Sequence, residues 1–266
     1  MVNLTATLGA LISANHILHY HSVLDAMGHV SVRNPLNNGT YFLALQMGPA
    51  VVSGRQDIGE YLVESSEPVN GTVGGYAERY IHGEILKRYP DVNAVVHSHA
   101  EDVLPYTVVG GLGLEPVYHM AGFLGPQTPT FDIAATPPYQ DPLTPQDMLI
   151  STPLLGALLA SALGTNASRP TSPQHRAVLQ RGHGFVVVAG GIEEAVDYAY
   201  YAASNARVLT TAVLLARAVG GEVRRLSAGE MRGAADMDAW IAFKPWRQWV
   251  WEVERSGVYV NELGGG

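Results

Sequence analysis

The chain has 266 residues, 47% of them apolar and only 15% charged, which allows a substantial buried core and a surface partly covered by other subunits. Acidic side chains number 24 against 16 basic ones, a formal net charge of −8 with no basic run, which argues against nucleic acid and anionic membranes as partners. Cysteine is absent, so disulfides and thiolate ligands are excluded and any metal must be held by His, Asp or Glu.

Leu8, Leu11, Ile12, Ile17 and Leu18 recur at helical spacing and predict an opening helix to about His21. No cationic segment precedes it and no apolar run reaches the roughly 20 residues that span a bilayer, so a cytoplasmic location is expected. Residues 28–35, GHVSVRNP, read as a glycine turn and an alternating strand, paired across 35–39 with a second strand at 41–45. Residues 51–52 and 58–63 continue in short pieces. A helix then begins near Glu78 and must stop near Tyr89, because Pro90 cannot continue it. The apolar run 94–96 forms a short strand that delivers His97, Ser98 and His99. Residues 103–109 read as a brief helix, 116–120 as a strand end and 137–145 as a proline-rich connection. Thr152-Pro153 marks a helix start, with Gly164 as its stop. Apolar strands at 177–179 and 185–188 flank Arg181-Gly182-His183-Gly184, and 192–219 reads as one long helix ended by Gly220. Ser227-x-x-Glu230 is a capping box opening a further helix. The closing segment, 245–266, carries Trp246, Trp249 and Trp251, read as core or subunit contacts, and then a glycine tail. No linker or repeat divides the chain, so a single α/β domain over 1–266 is expected.

Chemistry concentrates in a few places. Glu78 and His82 are four apart and share one helix face. His97 and His99 are two apart on a strand and point to the same side, as a metal-ligand pair or as a surface pair would. His183, between two glycines, is a tight turn or a third ligand. Taken together, three neutral imidazoles hold a divalent ion and leave positions open for substrate, the plan of a catalytic site. His82 reads as a packing residue, and His16, His19 and His21 as surface or interface.

Three blocks carry a family resemblance: GHVSVR at 28–33, ERYIHGEILKRYPDVNAVVHSHA from Glu78, and RGHGFVVVAGGIEEAVDYAYY from Arg181. Over nearly its whole length the chain resembles the class II aldolase/adducin family. The resemblance implies a three-layer α/β/α fold with a central, mostly antiparallel sheet, and homotetramers with active sites near subunit interfaces. It implies Glu78 as the acid/base residue, and His97, His99 and His183 as ligands of one divalent metal per subunit, zinc or manganese first, with iron or cobalt as alternatives. His29 stands where the family's sugar-phosphate aldolases have asparagine, and residues 46–54, QMGPAVVSG, match their phosphate loop poorly. GHVSVR, PVYHMAGFLG at 116–125, Arg181 and the late Pro-Trp resemble instead the branch that decarboxylates dihydroxyphthalates and hydroxy-methylpyridine dicarboxylate.

The expected function is therefore a metal-dependent lyase that removes CO2 from a hydroxylated aromatic or heteroaromatic acid, with Glu78 moving the proton. Arg181 and His29 are candidates to grip a second carboxylate. Arg33 is another, or the partner in an internal salt bridge, and His119 is a candidate hydrogen-bond partner of the substrate. An aldolase or epimerase acting on a sugar or keto-acid, a metal-dependent oxygenase, and a non-catalytic adducin-like interaction domain are the alternatives.

Overall fold

The computed structural model of the chain describes residues 3–69 and 75–264. Asn3 opens the first helix, its side chain accepting the Thr5 N–H at 3.1 Å. The elements then follow as α1 (Leu4–Tyr20), β1 (His29–Arg33), β2 (Thr40–Ala44), β3 (Ile58–Leu62), α2 (Arg79–Arg88), β4 (Ala94–Ser98) and α3 (Leu104–Val108). After these come β5 (Thr130–Phe131), α4 (Pro137–Gln140), α5 (Pro153–Ala162), β6 (Thr165–Asn166), β7 (Arg169–Pro173), β8 (Ala177–Gln180) and β9 (Gly184–Ala189). Three helices close the chain: α6 (Ile192–Val219), α7 (Ala228–Ile241) and α8 (Phe243–Arg255). No helix among the described residues is long and apolar enough to cross a membrane.

Seven strands form one sheet in the order β3-β2-β1-β4-β9-β8-β5, antiparallel throughout except where β5 runs parallel to β8. The central strands β1, β4 and β9 are buried along their whole length, including the polar side chains of β1 and of the end of β4, while β9 reads as a nearly continuous apolar run. Helices cover both faces, as expected: α1 packs on β1 and α6 on β4 and β9, while α2 meets β4 and α5 packs on α2. The Tyr89 hydroxyl, at the end of α2, donates to the Ala160 and Gly164 carbonyls at 2.8 and 2.6 Å and ties α2 to the end of α5. The register sets His29 of β1 opposite His97 of β4, and His97 opposite Val186 of β9. The sheet thus gathers histidines at one end of its middle strands.

The helix starts at Thr152 and Ser227 occur as expected. Thr152 accepts from Leu155 N–H, and Ser227 and Glu230 exchange hydrogen bonds at 3.3 and 2.7 Å. Several expectations are corrected. Residues 116–120 form no strand, because the buried Asn205 side chain of α6 accepts the Val117 and Tyr118 N–H groups and donates to the Glu115 carbonyl, taking the place of a strand partner. His16 is not a surface residue; it is 1% exposed and bonds the Val52 carbonyl at 2.7 Å. Among the described residues Arg33 makes no salt bridge, and its donors are taken up by backbone carbonyls rather than left for a substrate. Its guanidinium donates to the carbonyls of Val92, Leu86 and Asn38 and pins the turn after α2 to the β1–β2 hairpin. The β6–β7 ribbon was not expected, and the last two residues of the glycine tail, 265–266, lie outside the described residues.

One feature of the helical layer makes stability depend on pH. Asp197 of α6 and Asp238 of α7 are each 1% exposed, and among the described residues no hydrogen bond reaches any of their four carboxylate oxygens. Burial, then the charge of Asp238 and of Glu194, pushes Asp197 up to about 8; burial pushes Asp238 up to about 6, against the pull of His119. The folded chain therefore holds protons that the unfolded chain releases near pH 4. The stability these groups contribute is complete below about pH 4 and is lost as pH rises through the folded values. Tm should fall by about 5 °C or more between pH 5 and pH 8, and Asp238→Asn should flatten that slope; thermal melts across this range check it.

Candidate active site

The turn between β8 and β9 is built to present His183. The His183 N–H returns to the Gln180 carbonyl at 3.1 Å, with Gly182 at φ +65, the left-handed position that a type II turn reserves for glycine. The Gly182 N–H donates to Thr107 Oγ1 at 3.1 Å, which anchors the turn on α3. At Gly184 a Cβ would collide with the Ser98 carbonyl, so only glycine lets β9 lie close beside the end of β4. His97 comes from β4 and His99 from just past its end, on the same side as strand alternation requires. Glu78 lies at the N-terminal boundary of α2 rather than within it, and its carboxylate meets the histidines from across the sheet end.

The four groups converge. The Nε2 atoms of His97 and His99 are 3.0 Å apart, and those of His99 and His183 are 3.1 Å apart. Glu78 Oε2 lies 3.4 Å from His97 Nε2 and 3.5 Å from His183 Nε2, and the four ligand atoms all fall within 4.8 Å of one another. The opposite edges of the rings explain why. His97 Nδ1 faces the Phe185 carbonyl at 3.2 Å, His183 Nδ1 the Met148 carbonyl at 3.0 Å, and His99 Nδ1 both oxygens of Asp25 at 3.2 Å. A carbonyl can only accept, so the proton of His97 and of His183 is on Nδ1, and the Asp25 carboxylate holds that of His99 on Nδ1 as well. In the neutral rings, three Nε2 lone pairs then point at one place. Alone they repel; around one cation they are at rest. Adjacent donors about 2.1 Å from one ion stand about 3.0–3.4 Å from each other, close to the four contacts of 3.0, 3.1, 3.4 and 3.5 Å.

Electrostatics agree. Burial works against the Glu78 charge, but positive charge at His97 and hydrogen bonds from His183 and His97 outweigh it and hold Glu78 far below the usual carboxylate range; this is the protonated form of the rings, whose Nε2 protons a cation would replace. A cation among the imidazoles acts in the same direction. The second carboxylate oxygen, Oε1, accepts the Ile150 N–H at 3.0 Å, which leaves Oε2 for the cluster.

The other candidates separate. His29 comes next to the cluster, its ring 5.1 Å from that of His97 and 4.3 Å from that of Tyr76. It is 1% exposed, bonded through Nδ1 to His82 Nε2 at 2.7 Å, and His82 continues to Ser31 Oγ at 2.6 Å. Burial, then the neighbouring His82 and His97, holds His29 well below its ordinary value, so it is neutral and offers no charge to a substrate carboxylate. The expected grip is thus narrowed to what a neutral imidazole beside the cluster can make, a hydrogen bond without charge. His82 is a member of this chain rather than a packing residue, and burial with His97 beside it lowers it to about 3. Arg181 Nε lies 2.6 Å from Asp132 Oδ1, at the edge of a cleft of ≈ 770 Å³, so its charge is already matched. His119 is exposed and near enough to Asp238 for its charge to act on that carboxyl. A second cleft, ≈ 490 Å³, adjoins the cluster at His99 and Asp25.

Asp25 was missed by the sequence reading. The available signal was Asp25-x-x-Gly28: the carboxylate accepts the Met27 and Gly28 N–H groups at 3.0 and 2.8 Å, a turn that also aims it at His99. Outer partners of this kind set ligand orientation and basicity. In Asp25→Asn the turn survives, since the amide oxygen still accepts both N–H groups, while metal affinity should fall about 10- to 100-fold; titration of Zn2+ against a chromophoric chelator measures it.

Comparison with known proteins adds to this geometry. Residues 9–210 match the family described as Class II Aldolase and Adducin N-terminal domain. The chain is 42% identical over 257 residues to the decarboxylase tropJ of Talaromyces stipitatus, covering 94% of this chain and 95% of that protein. It is 28% identical over 255 residues to the 3,4-dihydroxyphthalate decarboxylase of Arthrobacter keyseri, covering 92% of each. Among solved structures, the L-fuculose 1-phosphate aldolase from Glaciozyma antarctica PI12 superposes with a TM-score of 0.68 at 19% identity, over 97% of this chain and 93% of that one.

Proposed function

The chain belongs to the class II aldolase and adducin family, and from that premise we propose that it is a divalent-metal-dependent decarboxylase of a hydroxylated aromatic or heteroaromatic carboxylic acid, of the dihydroxyphthalate or hydroxypyridine-dicarboxylate type. The observation that carries the proposal is the convergence of three Nε2 lone pairs and one carboxylate, with every Nδ1 already committed. Two relatives along nearly the full length bear the name decarboxylase, which supports carboxy-lyase over aldehyde-lyase chemistry. His97, His99, His183 and Glu78 would hold the ion; nitrogen and oxygen donors suit zinc, manganese, iron or cobalt.

Decarboxylation breaks a carbon–carbon bond and leaves its electron pair on the ring. A bound divalent ion supplies the positive field that draws this pair toward an adjacent substrate oxygen. The three neutral imidazoles would dilute that field by no charge of their own, leaving the Glu78 carboxylate as the one negative group in the set. Glu78, ionised at rest, takes the proton released when the substrate hydroxyl ionises and returns it to the ring carbon that CO2 has left. Atoms and charge then balance: the carboxylate carbon departs as CO2 and one proton replaces it. The Ile150 N–H fixes the Glu78 carboxylate plane through Oε1 while Oε2 does this work.

A homotetramer is part of the proposal. Leu214, Leu215 and Val219 on the far half of α6 are 64, 62 and 82% exposed, a row of apolar side chains suited to burial against another copy. Incubating the metal-loaded protein with dihydroxyphthalates and related acids tests the activity: CO2 release with formation of the ring-protonated product supports it, and aldehyde release without CO2 favours the aldolase reading.

A further inference from the structure

We propose that the backbone of residues 148–150, set by the left-handed conformation of Met148 and by the Tyr139 hydroxyl, is the positioning element that brings His183 and Glu78 to one shared geometry. The inference rests on reading the cluster as a metal site. Met148 has φ +66, a conformation that a long unbranched L side chain such as methionine rarely adopts. The surroundings are identifiable. Its N–H donates to the hydroxyl of the buried Tyr139 at 2.9 Å, and its side chain ends against Gly182. Its carbonyl accepts the His183 Nδ1–H at 3.0 Å, and two residues later the Ile150 N–H donates to Glu78 Oε1 at 3.0 Å.

One short piece of chain therefore touches two of the four converging groups, which come from separate elements: the β8–β9 turn and the start of α2. Bringing φ at 148 to a negative value rotates the peptide after Met148 relative to the one before it. The Tyr139 contact on one side, and the His183 and Glu78 contacts on the other, could not all survive. The strain is thus placed where orientation of the ligands depends on it, and the role belongs to the backbone, not to the thioether.

This distinction makes the test. Glycine and asparagine accept the left-handed region, whereas a β-branched side chain resists it. Zn2+ is titrated into the metal-free full chain against a chelator for wild type, Met148→Gly, Met148→Asn, Met148→Val and Tyr139→Phe, with circular dichroism confirming folding. Leu143→Ala, an exposed position in the same connection, serves as the control. Expected are Gly, Asn and the control within about threefold of wild type. Val should be weakened about tenfold or more, in the range of a lost outer partner, and Tyr139→Phe should be weakened in the same direction. In Met148→Val kcat should fall with KM little changed. Wild-type affinity in Met148→Val and Tyr139→Phe overturns the inference, as does equal weakening in Gly, Asn and Val, which would assign the role to the side chain. Failure of wild type itself to bind Zn2+ overturns instead the metal reading beneath it.

Discussion

In Glu78→Gln, kcat should fall by about 10²- to 10⁴-fold while the protein still carries its metal. Glutamine keeps the length of the side chain and an oxygen that can face the cluster or accept the Ile150 N–H. It cannot take up and release a proton. The substitution therefore separates two duties that the geometry assigns to one residue: Oε2 is 3.4 Å from His97 Nε2 and 3.5 Å from His183 Nε2, close enough to ligate, and it is the ionised group placed to move the proton. Metal content measured beside kcat decides the matter. Retained metal with turnover near wild type would remove Glu78 from the proton transfer. Lost metal would show that its main work is ligation.

His97→Ala should empty the site. His97 is fully buried at the middle of the cluster, 3.0 Å from His99 Nε2 and beside Glu78, so its loss leaves two imidazoles and one carboxylate around an open side. Affinity should fall by more than the roughly 100-fold typical of losing an outer partner, and turnover should become undetectable. The side chain is also a wall of the sheet end, paired in register with His29 and Val186, so the variant needs a melting curve beside its metal analysis. His183→Ala, in the half-buried turn, repeats the test with less disturbance of the core. Wild-type metal content in both variants would contradict the assigned ligand set.

How much of this could be read from residues depends on where the information lies. The helix stop at Pro90, the helix starts at Thr152 and Ser227, and the shared face of His97 and His99 rest on local rules that operate within a few residues. They reappear in the structure. His29, Arg33, Arg181 and His119 stand out by residue type and by the blocks that resemble the decarboxylase branch, and neither shows which partner is already taken. Arg33 is occupied by three carbonyls, Arg181 by Asp132, and His29 by His82. Met148 acts through a carbonyl that every residue carries and Ile150 through an N–H that every residue except proline carries, so no pattern of side chains could mark them. Residues 116–120 look like a strand end, yet one asparagine on a helix almost ninety positions later satisfies their backbone. Long-range pairing of this kind is the part of a fold that a single sequence keeps hidden.

The measurement closest to the central claim is CO2 release from a hydroxylated aromatic dicarboxylic acid, followed for the metal-loaded chain, for the same protein after chelation, and for the chelated protein with metal restored. The account predicts release in the first, its loss in the second and its return in the third, one CO2 for each acid consumed and no requirement for oxygen. Equal release after verified removal of the metal, or consumption of the acid that depends on oxygen, would contradict it.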